Sequence, residues 1–415
     1  MSGAPHLESS HWDCPRYSDV KFHSPVKTGY YILEGSNSFA TAYYFNYLMV
    51  LLHREHGFSS FQNLAVGAIH GFIYVAASWF AGRFGQKYGY FTSLRIGFLG
   101  MALSLACGWI FPSVTGQITA LLSWTMTICF TWPMLEALVA EHEPPDRLPG
   151  RIGLYNVVWA SSAAAAVFFG GSLFERLGPA SLYWLPLILQ LAHFAGTFFL
   201  EKRHINWLAT SSSPLPPSLS TQVSRSRPDY FKTLSWIGNP FAYMAGNTLV
   251  AVVPSIAAKV GLTIEQAGQL MALWYIIRTL TFAILWQWHG WHYRITWFLG
   301  AFVLLIVGFV SVMITQQIWI LVVGQILFGW ATGLLYHSSL FYAMDGSETK
   351  GEHGGIHEAF IGLGIGGGPA ISTLTLWISG SPHAPALAVG VSLLAGLVVS
   401  IEVWRRSNST KRSAP

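Results

Sequence analysis

Apolar stretches of roughly twenty residues follow one another along the chain, separated by short polar loops that hold most of its charged side chains. A helix rises 1.5 Å per residue, so roughly 20 apolar residues cross a hydrocarbon core about 30 Å thick. Inside lipid the backbone has no water to bond with, so segments of this length are predicted to be helical and not extended. The pattern predicts spans over Tyr30 to Leu52, Asn63 to Phe84, Phe91 to Phe111, Gln117 to Ala140, Ile152 to Phe174 and Ala180 to Leu200. A second set of six covers Leu234 to Ala257, Gln266 to Trp288, Ile295 to Ile314, Ile318 to Met344, Gly355 to Ile378 and Pro385 to Trp404.

Between the two sets, Glu201 to Phe231 contains a Ser/Pro run from Thr210 to Ser220 followed by Arg225 and Arg227. Such a segment buries no core and reads as a linker. The predicted layout is a tail over 1–29, a six-helix bundle over 30–200, a linker over 201–231, a second bundle over 232–404 and a tail over 405–415. With twelve spans both tails and the linker share one side, which carries Lys202, Arg203, Arg225, Arg227, Lys232, Arg405, Arg406, Lys411 and Arg412. The other side keeps only Arg54, Arg176 and Lys259, so both termini are expected in the cytoplasm of an inner (plasma) membrane. The polar first 27 residues precede an apolar run too long for a signal-peptide core, so the first span is expected to remain uncleaved.

Composition agrees: 52% of the 415 residues are hydrophobic and 10% charged, against roughly 25% charged in a soluble domain. The net charge of +5 is spread over loops and tails, so it reports topology and no nucleic-acid partner is expected. Cys14, Cys107 and Cys129 are odd in number and widely spaced, which implies neither a disulfide framework nor a zinc site.

The two sixes carry a faint internal repeat, in which Gly153-Leu-Tyr-Asn156 lines up with Gly355-Ile-His-Glu358. The loop after the second span reads Gly82-Arg-Phe-Gly-Gln86-Lys87-Tyr-Gly89-Tyr-Phe. It resembles the marker loop of the major facilitator superfamily, G-x-x-x-D-[RK]-x-G-[RK]-[RK], with Gln86 at the acidic position and Tyr90 and Phe91 at the last two basic ones. Glu141, Pro144, Pro145, Arg147 and Arg151 after the fourth span are similar to another element of that family, and Gly366-Gly-Gly-Pro369 in the eleventh to a third. The fifth span has Ala166-Val-Phe-Phe-Gly170-Gly171 where the family often has a Gly-Pro pair, and no arginine lies between Leu121 and Trp132 in the fourth. The resemblance runs from Tyr30 to about Trp404. It implies an all-α membrane protein, twelve transmembrane helices in two six-helix pseudo-repeats around a central cavity lined by spans 1, 2, 4, 5, 7, 8, 10 and 11. It also implies that Gly82, Gln86, Lys87, Gly89 and Arg151 belong to a gating loop region.

A charge at bilayer depth costs several kcal/mol unless it is paired or faces water, so every deep ionisable residue is a candidate. Glu34, Glu136, Arg278, His337, His357 and Glu358 all fall on spans that the resemblance assigns to the cavity, as does His70. Arg278 is the sharpest, because an arginine cannot shed its charge by losing a proton; either the substrate or one of Glu34, Glu136 and Glu358 must face it. The carboxyl groups are candidates for carrying protons, or alternatively for latching a gate. Asn37 and Asn156, with Trp159, Trp274, Tyr275 and Tyr336, offer amides beside aromatic faces, a surface suited to a sugar-like or other polar organic solute. His353 and His357 have a His-x-x-x-His spacing, but Gly354 and Gly355 interrupt it, so no metal is expected and capping or gate contacts are favoured. Tryptophans at span ends, such as Trp109, Trp288 and Trp404, read as interface anchors.

No Gly-x-x-x-x-Gly-Lys-[Ser/Thr] loop occurs, which argues against ATP-driven transport by this chain, and no cofactor is expected. The favoured reading is a monomeric secondary active transporter in the lipid bilayer that moves a small organic solute by alternating access, coupled to protons. Efflux of amphipathic compounds is the alternative within that class, and a polytopic membrane enzyme the alternative outside it; for an enzyme the sequence supplies no nucleophile or metal constellation.

Overall fold

The computed structural model describes residues 25–144, 147–210, 230–288, 290–344 and 350–412. Cys14, Arg16 and Lys21 in the amino-terminal tail, and Arg225 and Arg227 in the linker, lie outside the described residues. Thirteen helices form among the described residues: α1 Pro25–His56, α2 Ser60–Tyr88, α3 Tyr90–Ile110, α4 Val114–Ile128, α5 Trp132–Ala140, α6 Leu148–Leu177 and α7 Ser181–Thr210, then α8 Tyr230–Val260, α9 Ile264–Gln287, α10 Ile295–Ile314, α11 Ile318–Met344, α12 Lys350–Ser379 and α13 Ala384–Arg412. Since α4 and α5 traverse the bilayer as one interrupted span, Val114–Ala140, the layout is twelve spans in two sixes.

Among the described residues eleven spans are long and apolar enough to cross a membrane by length and composition, and α1 is not one of them. Its 32 residues nonetheless make a rod about 48 Å long. Its polar residues Glu34, Asn37, Ser38, Thr41 and Asn46 are buried against other helices, so lipid does not meet them. The fourth span breaks because Pro133 supplies no backbone N–H to the turn before it. There the Thr131 hydroxyl donates to the Ile128 carbonyl at 2.7 Å and the Ser93 hydroxyl to the Phe130 carbonyl at 3.0 Å. α7 runs ten residues past the predicted end of its span, to Thr210, and α12 begins at Lys350, so His353 and His357 share one helix.

The halves meet chiefly along α2 with α12 and α6 with α9, while α3, α7, α10 and α13 pack on helices of their own half. Glycines allow the first of these contacts. A Cβ on Gly71 would land on the backbone of Ile365 and Gly366, and one on Gly82 would stand 2.7 Å from the Gly355 Cα. In lipid, where apolar burial does not drive helices together, such close backbone contact is what holds them. The Gly82 and Gly355 crossing lies at the end of the molecule that carries the start of α1 and the end of α7, hereafter the termini face.

At that face Gln86 Oε1 accepts from the Gly351 backbone N–H at 3.2 Å and from the Tyr90 hydroxyl at 3.0 Å. Arg83 Nε lies 3.3 Å from Glu352 Oε1, but both side chains are solvent-exposed. An exposed pair of this kind contributes at most about 1 kcal/mol. The glycine crossing is therefore the seal and the ion pair an accessory. Gly71→Val should cost about 1–3 kcal/mol through forced separation of α2 from α12. The check is thermal unfolding of the purified protein in detergent, where a melting temperature equal to that of the parent would show that the two helices are not in backbone contact.

Candidate functional site

A cavity of about 160 Å³ lies between the halves, midway along the helices. Its wall is supplied by α1, α2, α4, α5, α6, α8, α9, α11 and α12. A second cavity of about 430 Å³ lies toward the face opposite the termini, walled by α1, α6, α8 and α9 and including His53 and Arg54. The two share Asn46 and Val250, and at that junction the Tyr275 hydroxyl donates to Asn46 Oδ1 at 3.2 Å. The larger space thus forms a vestibule on the far side, while the glycine crossing closes the termini face.

Arg278 lies on the wall contributed by α9 and is buried. Its guanidinium carbon sits 4.5 Å from the ring centre of Trp159, 4.9 Å from that of Trp274 and 4.8 Å from that of Tyr275. Cation–π contact of this sort offsets part of the cost of desolvating a cation. Nε has no hydrogen-bond partner, and no carboxylate pairs with the side chain among the described residues. Trp159 is held in place from behind: its Nε1 donates to Asn156 Oδ1 at 3.0 Å, and Asn156 Nδ2 lies 3.2 Å from His337 Nδ1 across the two halves.

A separate group of acids faces the same cavity. Glu34 and Glu136 come from the first half and Glu358 from the second, and all three are buried. The Ser38 hydroxyl donates to Glu34 Oε1 at 2.7 Å, and Tyr74 donates its hydroxyl to Glu358. Neither oxygen of Glu136 has a hydrogen-bond partner, nor has Glu34 Oε2. No lysine or arginine pairs with the three among the described residues. His357 stands beside them, with Nδ1 3.2 Å from the Ser339 hydroxyl and Nε2 without a partner. One ligand atom each from Glu136, His357 and Glu358 lies within 4.8 Å of the others, a spacing that a small cation could bridge. His353 is not part of that group.

The structure therefore gathers Glu34, Glu136, Arg278 and Glu358 on one cavity, with His357 directly behind. Asn156 and His337 bond to each other beside the cavity without lining it. Asn37 turns into the first half, accepting from Gln190 Nε2 at 3.1 Å. Of the loop residues, Gly82 and Gln86 touch the second half. Lys87 lies 5.1 Å over the Tyr88 ring, and Gly89 ends α2 with a φ of +95°. Arg151 is buried within its own half, where its Nε donates to Glu143 Oε1 at 3.0 Å and Lys27 Nζ reaches the same oxygen at 3.2 Å. That network braces the ends of α1, α5 and α6 and is not part of the crossing between halves. Sequence reasoning passed over Tyr74 and Ser38; each lies four residues from a residue it did single out, His70 and Glu34, and so on the same helical face.

A family model described as Major Facilitator Superfamily matches residues 35–238. Among solved structures, the human organic anion transporter MFSD10 (TETRAN) superposes with a TM-score of 0.69 at 14% identity, covering 90% of this chain and 98% of that one. The nucleoside transporter NupG, as a point mutant, gives a TM-score of 0.64 at 14% identity, covering 92% and 99%. No curated protein sequence matches this chain.

Since no carboxylate depends on Arg278 for neutralisation, Arg278→Leu should leave the melting temperature unchanged or raise it. A paired arginine behaves otherwise, because its loss strands a buried partner at a cost of about 3–5 kcal/mol. Thermal melts of the solubilised variant separate the two, and a large fall would show a hidden ion pair.

Proposed function

From the premise that this chain belongs to the major facilitator superfamily of membrane transporters, we propose that it takes up a small organic solute together with protons by alternating access, with both termini in the cytoplasm. The observation that carries this reading is the acid group split between the halves: Glu34 and Glu136 on one side of the interface, Glu358 on the other, with no lysine or arginine among them. Burying a lone carboxylate costs several kcal/mol. Two facing carboxylates in a dry interface also repel each other, so α5 and α12 pack most closely at the termini face when protons neutralise the group. Opening that face to the cytoplasm wets the acids and releases the protons. Loading from the far side, through the vestibule, neutralises the group again.

The cycle thus links proton occupancy to which face is open, the requirement for coupling solute flux to a proton gradient. The fold shared with carriers of organic anions and nucleosides supports a small organic solute as cargo. The basic residues of the termini face support its cytoplasmic placement. A single chain holds the whole cavity, which supports a monomer as the working unit.

The test is solute-dependent acidification of proteoliposomes with a pH-sensitive dye trapped inside, across a panel of organic acids, nucleosides and sugars. An inward proton gradient should raise solute accumulation, and Glu136→Gln and Glu358→Gln should abolish that gain while solute exchange between the two sides persists. Equal flux with and without the gradient would overturn proton coupling; net movement outward against the proton gradient would assign efflux instead.

A further inference from the structure

We infer that the solute bound in the central cavity is a small planar monocarboxylate, its carboxylate on Arg278 and its ring against the aromatic wall. This rests on the transporter reading above and adds the chemical class of the cargo.

Charge balance in the cavity favours an anion. The acids of the cavity can each become neutral by taking up a proton, but Arg278 keeps its charge at any accessible pH. Whenever both faces are shut, a cation with no acidic partner remains in a low-dielectric space. Aromatic faces cover part of the deficit and leave the rest. Among the residues lining the central cavity, Arg278 is the one lysine or arginine, so an arriving anion has a single point of attachment. A dianion would bring one charge that nothing on the wall matches, and it would face Glu34, Glu136 and Glu358.

Geometry narrows the class. Rings of Trp159, Trp274 and Tyr275 lie 4.5 to 4.9 Å from the guanidinium carbon. Nε is buried without a hydrogen-bond partner, so the Nε edge of the guanidinium plane keeps an N–H donor for an arriving acceptor. A carboxylate, with two oxygens in one plane, meets that edge with two parallel hydrogen bonds.

Volume and lining settle the remainder of the molecule. About 160 Å³ is close to the roughly 150 Å³ engineered cavity known to admit a benzene ring, so one ring with its carboxylate is the scale that fits. Beyond the arginine cage the wall continues with Phe45, Trp124, Trp132 and Tyr243, flat surfaces for a flat solute.

The experiment uses the purified full-length protein and benzoate as probe, followed by quenching of tryptophan fluorescence and by the shift in melting temperature. Benzamide, the neutral isostere, and benzylamine, the cation, are the controls. Benzoate should bind saturably and raise the melting temperature, with benzamide roughly tenfold or more weaker and benzylamine without effect. Arg278→Gln should abolish benzoate binding. Arg278→Lys, which keeps the charge and loses the fork, should weaken it about tenfold or more. Ligand-free melting curves of both variants establish that they are folded. Benzoate and benzamide binding equally, benzoate failing to bind, or Arg278→Gln binding it as the parent does would each overturn the inference. Should proteoliposomes then still accumulate a neutral or cationic solute, the carboxylate assignment falls and the transporter reading stands. If benzoate binds through Arg278 but neither it nor any other solute crosses the membrane, the site stands and transport falls.

Discussion

Charge without a counter-charge is the constraint on which the rest of this molecule depends. Four ionisable side chains, Glu34, Glu136, Arg278 and Glu358, border one buried space, and none is neutralised by another. A fold under selection for stability alone would replace such groups with apolar ones of similar shape, often with a gain of about 1–4 kcal/mol. Their presence supports the proposed role of the space in accepting charge from outside the protein, and the surrounding structure makes that tolerable in two ways. Around Arg278 the protein supplies aromatic faces, and around the acids it supplies hydroxyl donors from Tyr74 and Ser38.

The helices that carry these groups also form the seal. α12 bears Glu358 and His357, and its Gly355 and Gly366 lie against α2. α5 bears Glu136 and exists as a separate helix because Pro133 breaks the span two turns after Trp124. A Cβ on Gly354 would stand 3.3 Å from Glu136 Oε2, so the α12 backbone approaches the acid group itself. Whatever changes the charge of the acids therefore acts on a close backbone contact between the halves. Packing and charge state are linked through one helix, without an intervening relay.

Arg278 and the acids divide the cavity chemically. The cation is fixed and permanently charged on α9, held by rings from both halves. The acids can change charge and are divided between α1, α5 and α12. One part suits attachment of a solute and the other suits a switch. Asn156 and His337, bonded across the halves, steady Trp159 and so set the geometry of the cage without touching its contents.

Much of this was legible along the chain. The length and spacing of apolar runs determined twelve spans, since a run of roughly 20 apolar residues crosses lipid as a helix, with its backbone hydrogen bonds made within the segment. The residue types at depth determined which positions must face the interior, because lipid does not accept Glu34 or Arg278. Only the tertiary structure decided what those residues meet. Periodicity places Asn37 and Glu34 one turn apart on a helix. It does not say that Asn37 turns to Gln190 while Glu34 opens on the cavity. Nor does it say that His357 joins Glu136 and Glu358 in place of His353, or that Arg278 has three rings and no acid beside it. Those outcomes depend on the rotation of each helix and on contacts between residues hundreds of positions apart, and local hydrophobicity carries no information about either.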